Sequence, residues 1–298
     1  MTDRLKNALQ ADAAAVESRL LSLYPSTDDP DIGLIYRAEK YSLMAGGKRI
    51  RPFLTLEFCR AFGGKNDGLA LAFAASVELV HTFSLIHDDL PCMDNDDLRR
   101  GKPTSHRVFG EDVALQVGDS MCIRAFETIL GCGLADADTL LRGALALSRA
   151  AGSGGMVGGQ ITDMRGEKEK FDFDTLRKLH AMKTGAMIRV SAELGCIAAG
   201  LRPGCAEYAD AIGYAENIGL AFQIVDDILD VTADSAVLGK NTGSDSENGK
   251  TTFLSFMDIG EAREYAGRVT GDAVAAIKKY PSCDILADLA LWLLERGS

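Results

Sequence analysis

Residues 81–106 read HTFSLIHDDLPCMDNDDLRRGKPTSH, and they crowd Asp88, Asp89, Asp94, Asp96 and Asp97 ahead of Arg99, Arg100 and Lys102. Carboxylates this close repel one another unless cations sit between them. Hard oxygen ligands suit Mg²⁺, which is commonly held by one or two protein carboxylates together with substrate phosphates. The arginines suit phosphate oxygens, because a planar guanidinium donates two parallel hydrogen bonds. A second acidic stretch, FQIVDDILD at 222–230, repeats the chemistry. There Gln223, Asp226 or Asp227, and Asp230 fall at i, i+3/i+4 and i+7, one stripe of a helix. Two aspartate-rich sites on apolar helices suggest a clamp of Mg²⁺ ions on one polyphosphate.

The elements that must carry these groups are helical. VELVHTFSLIH is apolar with helical spacing, so the first cluster belongs at the C-terminal end of a buried helix. Pro91 cannot continue that helix, so an irregular turn must bring Asp94 round. Helices are predicted over 2–22, from Pro30 to about Met44, and from Pro52 onward. Further helices are predicted over 112–131, 135–151, 172–199, 205–233, 258–280 and 283–295. Between Met44 and Pro52, the Gly46-Gly47 turn carries Lys48, Arg49 and Arg51, either an anion site at a helix start or merely a basic loop. GSGGMVGGQITDM at 152–164 can still form a short helix presenting Met156, Gln160 and Asp163. Its glycines serve close helix approach as readily as catalysis. Lys183-Thr184-Gly185 sits in mid-helix, where glycine invites local distortion. The polar segment 232–250 is long enough to suggest a functional loop. Strand signals are nearly absent and βαβ alternation is missing, so the fold class is all-α.

Taken together, DDLPCMD with NDDLRRGKPTSH, DDILD, GGKRIRP at 46–52, GGQITDM at 158–164, HAMKTGA at 180–186 and GK…GKTT at 239–252 resemble the trans-prenyltransferases, or isoprenyl diphosphate synthases. The resemblance covers nearly the whole chain. It implies one helical domain over 1–298, a bundle of about ten or more helices around a central cavity. It implies Mg²⁺, about three ions with substrate bound, held by Asp88, Asp89, Asp94, Asp226 and Asp230. Gly47, Lys48, Arg51, His81 and Arg100 then cradle the diphosphate of isopentenyl diphosphate. Arg99, Lys183, Thr184, Gln223, Lys240 and Lys250 face the allylic diphosphate and its developing cation, the loop at 234–252 ordering over it. Where relatives commonly carry Tyr-Pro after that loop, this chain has Thr252-Phe253-Leu254, so the family's tyrosine hydroxyl is not carried over to this chain. Phe83 and Ser84, one turn before Asp88, match the positions that bound the product tunnel. With two extra residues inside the first motif, they resemble the bacterial farnesyl type and imply a C15 product, with C20 the alternative. A homodimer is the family's usual assembly.

Composition narrows the alternatives. Among 298 residues, 47% are hydrophobic and 25% charged, enough apolar material for a large core. A net charge of −11 argues against a nucleic-acid partner. Seven cysteines without a C-x-x-C pair read as reduced thiols. No run of about 18 apolar residues points to a membrane span. The first residues lack a secretory apolar core, so the expectation is a cytoplasmic protein. A di-iron bundle would want two Glu-x-x-His motifs, and only Glu78…His81 fits. A terpene cyclase handles one diphosphate, which leaves the basic cradle at 48–51 surplus. A non-catalytic partner subunit would be expected to have lost metal ligands, and none is lost.

Overall fold

The computed structural model describes residues 1–232 and 250–295. Among them the chain forms helices α1 (Asp3–Ser22), α2 (Pro30–Leu43), α3 (Ile50–Ala61) and α4 (Asp67–Asp88), then a two-stranded ribbon. The ribbon pairs β1 (Leu98–Arg99) with β2 (Lys102–Pro103) antiparallel. There follow α5 (Ser105–Phe109), α6 (Glu111–Leu130), α7 (Ala137–Ala151), α8 (Met156–Gly166), α9 (Phe173–His180), α10 (Ala186–Ala198) and α11 (Ala206–Thr232). After the undescribed stretch come α12 (Ile259–Ile277) and α13 (Asp284–Glu295). The all-α class is therefore correct, with the ribbon as its small exception.

Helix starts follow their capping chemistry. Thr2, Asp29, Asn66, Asp136, Asp172 and Asp258 each accept a hydrogen bond from a first-turn N–H. At 172–174 the cap is Asp172. Helix α3 begins at Ile50, two residues before the expected Pro52. Proline is tolerated in a first turn because its missing N–H would have no intrahelical partner there.

Helix α4 is the axis of the molecule. Leu69, Phe73, Val77, Leu79, Val80, Phe83 and Ile86 are all buried along it, among residues of α1, α2, α6, α7 and α10. Although Glu78 and His81 interrupt its apolar run, α4 could cross a membrane by length and composition, but 78% of its apolar window is buried inside the protein. A second core joins α3, α10, α11, α12 and α13 around Phe53, Phe58 and Tyr214, and a third surrounds Phe253 between α9, α11 and α12.

Candidate active site

The acidic cluster sorts itself by partner. Helix α4 ends at Asp88, and the turn after it folds back: the Asp94 N–H donates to the Asp88 carbonyl at 2.9 Å, and Asn95 takes a left-handed φ of 52°. Asp89 is buried and accepts from Arg99, from Nε at 2.9 Å and again from its terminal nitrogen. Arg99 also reaches Asp96 at 3.0 Å, and Arg107 holds Asp97 at 2.5 Å. Asp88 and Asp94 take no such cationic partner within ion-pair distance among the described residues. Burial pushes the Asp88 carboxyl up to about 6, Asp94 adds to the rise, and Lys183 opposes it. Asp88 and Asp94 are the pair left to a cation. Asp89, expected as a ligand, and Arg99, expected on the substrate, are here committed to each other.

Lys183 and Thr184 come from a distortion in the 172–199 helix, as its sequence suggested. Residues Ala181–Gly185 form a π-turn between α9 and α10, the one-residue bulge that often marks a functional position. Helix α8 lies hard against it: a Cβ on Gly159 would stand 2.6 Å from the Lys183 Cα. Close approach is therefore one role of the glycines at 152–159. It places Asp163 on two lysines, Lys183 at 2.6 Å and Lys250 at 3.2 Å. Burial alone would raise the Asp163 carboxyl, but the two ammonium groups hold it below the usual range.

On α11 the second acidic stripe divides. Gln223 Oε1 accepts from Thr184 at 3.2 Å and meets His180 Nδ1 at 2.9 Å. Burial drops His180 to about 4, so it is a neutral donor, stacked on Phe253 with ring centroids 5.2 Å apart. With its oxygen engaged, Gln223 has its amide N–H groups for a ligand. Asp227 is buried and accepts from the Phe253 N–H at 2.7 Å, so it fastens the chain where it re-enters after the undescribed stretch. Asp226 is exposed and Asp230 half-buried on the same helix. Thr251 accepts from the Phe171 N–H, while Thr252 caps the short turn at Phe253–Ser255. Lys240 lies outside the described residues. Asp163, His180 and Asp227 were not assigned these roles from sequence; only Asp163 carried a signal, its place on a glycine-dense helix.

The basic set is separate. Arg49, with φ 50°, is buried in ion pairs with Glu78 and Glu17, so it braces the loop and takes Glu78 away from any His81 pairing. Arg51 Nη1 lies 3.4 Å from His81 Nε2, and its buried Nε has no partner among the described residues. Burial lowers Arg51 to about 10; burial, then Arg51, holds His81 neutral. Arg100 reaches over the glycine turn to the Gly46 carbonyl. Gly47, at φ 129°, makes room for it: a Cβ would stand 2.7 Å from the Arg100 Cζ. Lys48 is exposed, its ammonium over the ring of Trp292. Phe83 is buried with its ring 5.7 Å from that of His87, and the Ser84 hydroxyl is bonded to the His81 carbonyl.

No group of three His, Cys, Asp or Glu side chains among the described residues could hold a metal alone. That fits a hard cation whose shell is completed by phosphate oxygens and water. An acid pair at the end of a core helix, a lysine on a π-turn and a distinct arginine cradle together define a helical enzyme for diphosphate substrates. The polyprenyl synthetase family model matches residues 33–279, and the chain belongs to that family. It is 43% identical to a chloroplastic geranylgeranyl pyrophosphate synthase of Capsicum annuum, over 84% of this chain and 67% of that protein. The crystal structure of an FPP/GFPP synthase from Zymomonas mobilis matches with a TM-score of 0.88 and 34% identity, covering 99% of this chain and 100% of that one. A geranyltransferase from Helicobacter pylori, complexed with magnesium and isoprenyl diphosphate, matches with a TM-score of 0.83 and 29% identity, over 99% and 98% of the chains. The chain is a prenyltransferase.

Proposed function

We propose that this protein joins isopentenyl diphosphate to the allylic diphosphates dimethylallyl and geranyl diphosphate, making farnesyl diphosphate (C15) and releasing diphosphate. The observation that carries the two-substrate reading is Arg51, whose buried Nε has no partner among the described residues, beside neutral His81 and near Arg100. A one-substrate cyclase has no use for that second cradle.

Mg²⁺, held by Asp88 and Asp94 on one side and Asp226 and Asp230 on the other, would supply charge stabilisation for the departing diphosphate. Lys183 adds a positive charge on the same side, and Gln223 turns its amide donors toward the ligand. Arg51, Arg100 and His81 hold the second diphosphate apart from the acids, so the double bond of isopentenyl diphosphate attacks from a fixed position. The leaving diphosphate can accept the proton that is then lost. The apolar core around α4 excludes water that would quench the cation.

A C15 limit is supported by Phe83, whose ring fills the core one turn before Asp88. A C20 product is the second reading, favoured by the likeness to the Capsicum geranylgeranyl enzyme. A homodimer is supported by α6, which exposes Leu115, Ile123 and Leu130 at helical spacing. The two-cradle reading is tested by kinetics of Arg51→Ala and Lys183→Ala with each substrate varied in turn. Arg51→Ala should raise KM for isopentenyl diphosphate far more than for the allylic partner, and Lys183→Ala the reverse. Equal effects on both substrates would restore a single site.

A further inference from the structure

The last helix reaches the second diphosphate cradle through one ring. Trp292 is the chain's single tryptophan; it sits half-buried on α13, and the Lys48 ammonium lies 4.8 Å from its ring centroid. On either side of Lys48 the loop is fixed. Gly47 packs under Arg100 with no room for a Cβ, and Arg49 is pinned by Glu17 and Glu78. Three residues after Lys48 comes Arg51, whose buried Nε has no partner among the described residues. A braced backbone therefore carries an exposed cation beside the anion cradle, and that cation lies over an aromatic face.

We propose that Trp292 is a positioning residue for Lys48: its ring holds the ammonium while the cradle is empty, and a bound diphosphate draws the ammonium off. This rests on the reading that Lys48 and Arg51 serve isopentenyl diphosphate. The exchange has a definite direction. A ring quadrupole attracts an exposed ammonium only weakly, whereas a polyanionic diphosphate attracts it strongly, so the ligand wins. The ring nevertheless competes, and its removal should tighten binding by about 2- to 5-fold, the worth of an exposed cation–π contact. Simple packing of Trp292 against the loop predicts the opposite sign, because loosening α13 would disorder the cradle.

The experiment uses the full-length protein with isopentenyl diphosphate alone, reading Trp292 emission and, in parallel, binding by calorimetry. Emission should change saturably with the calorimetric Kd, and Lys48→Met should abolish that change. Trp292→Leu should lower the KM for isopentenyl diphosphate by about 2- to 5-fold, with a smaller effect on the allylic KM. Trp292→Phe, which keeps a ring, should stay near wild type, and Trp292→Leu should have no further effect in the Lys48→Met background. If wild type binds isopentenyl diphosphate but emission is silent, or if Trp292→Leu weakens binding, the positioning role is overturned while the two-cradle reading stands. If calorimetry shows no binding, or Arg51→Ala leaves it unchanged, the two-cradle reading falls and takes this inference with it.

Discussion

Replacing Asp88 by asparagine should separate function from stability at a single residue. Activity should fall about 10²–10³-fold, the loss of roughly 3–4 kcal/mol of transition-state stabilisation, measured as kcat at saturating Mg²⁺. Metal-free protein should respond in the other direction. Burial raises the folded-state Asp88 carboxyl to about 6 from an ordinary 3.8, so its ionised form is a penalty above pH 6 that disappears as pH falls toward 4. Asp88→Asn should therefore melt about 2–4 °C higher than wild type at pH 8, and no higher at pH 4. A variant that is less stable at pH 8 would show that Asp88 is a structural carboxylate like Asp89. At this scale the acidic cluster was legible as a cluster but not as individuals. No spacing rule says that Asp89, Asp96 and Asp97 would be taken by arginines, because those pairings depend on where the turn after Pro91 puts the ribbon.

Between elements, the close packing of α8 on the π-turn is what sets Lys183 on Asp163. Gly159→Ala would place a methyl group 2.6 Å from the Lys183 Cα, an overpacking of about 1–3 kcal/mol. Its kcat/KM should drop about 10-fold or more, while Gly154→Ala, whose added Cβ meets nothing within 4 Å, should behave as wild type. Equal activity of the two variants would detach α8 from the chemistry. Phe83 is the matching test on α4. Phe83→Ala should shift products toward C20 or longer, with Phe83→Leu as a milder change if the alanine variant loses about 3–5 kcal/mol of stability. Unchanged chain length in folded protein would place the tunnel floor elsewhere. Helix positions were readable because apolar periodicity and capping residues are local signals, and Gly185 beside Lys183 and Thr184 marked the distortion. The partnership of His180 with Gln223, and of Asp227 with Phe253, was not readable. Each joins residues 43 or 26 positions apart whose contact exists only once α9, α11 and the returning chain have packed.

For the whole molecule, the all-α bundle was legible as a set of motifs, whereas the proposed dimer has only a surface trace. Ile123 on α6 is 69% exposed, with Leu115 and Leu130 on the same face, an arrangement that a second copy would cover. Ile123→Lys should convert a dimer to monomer by sedimentation velocity; a wild-type monomer would leave that face without this role. Product mass reports on the proposed condensation of two diphosphates. The protein is incubated with Mg²⁺, isopentenyl diphosphate and either dimethylallyl or geranyl diphosphate. Each allylic substrate should be extended by five-carbon units up to C15, with one diphosphate released per isopentenyl unit consumed. Release of diphosphate from the allylic substrate into a hydrocarbon or alcohol, with isopentenyl diphosphate untouched, would contradict it.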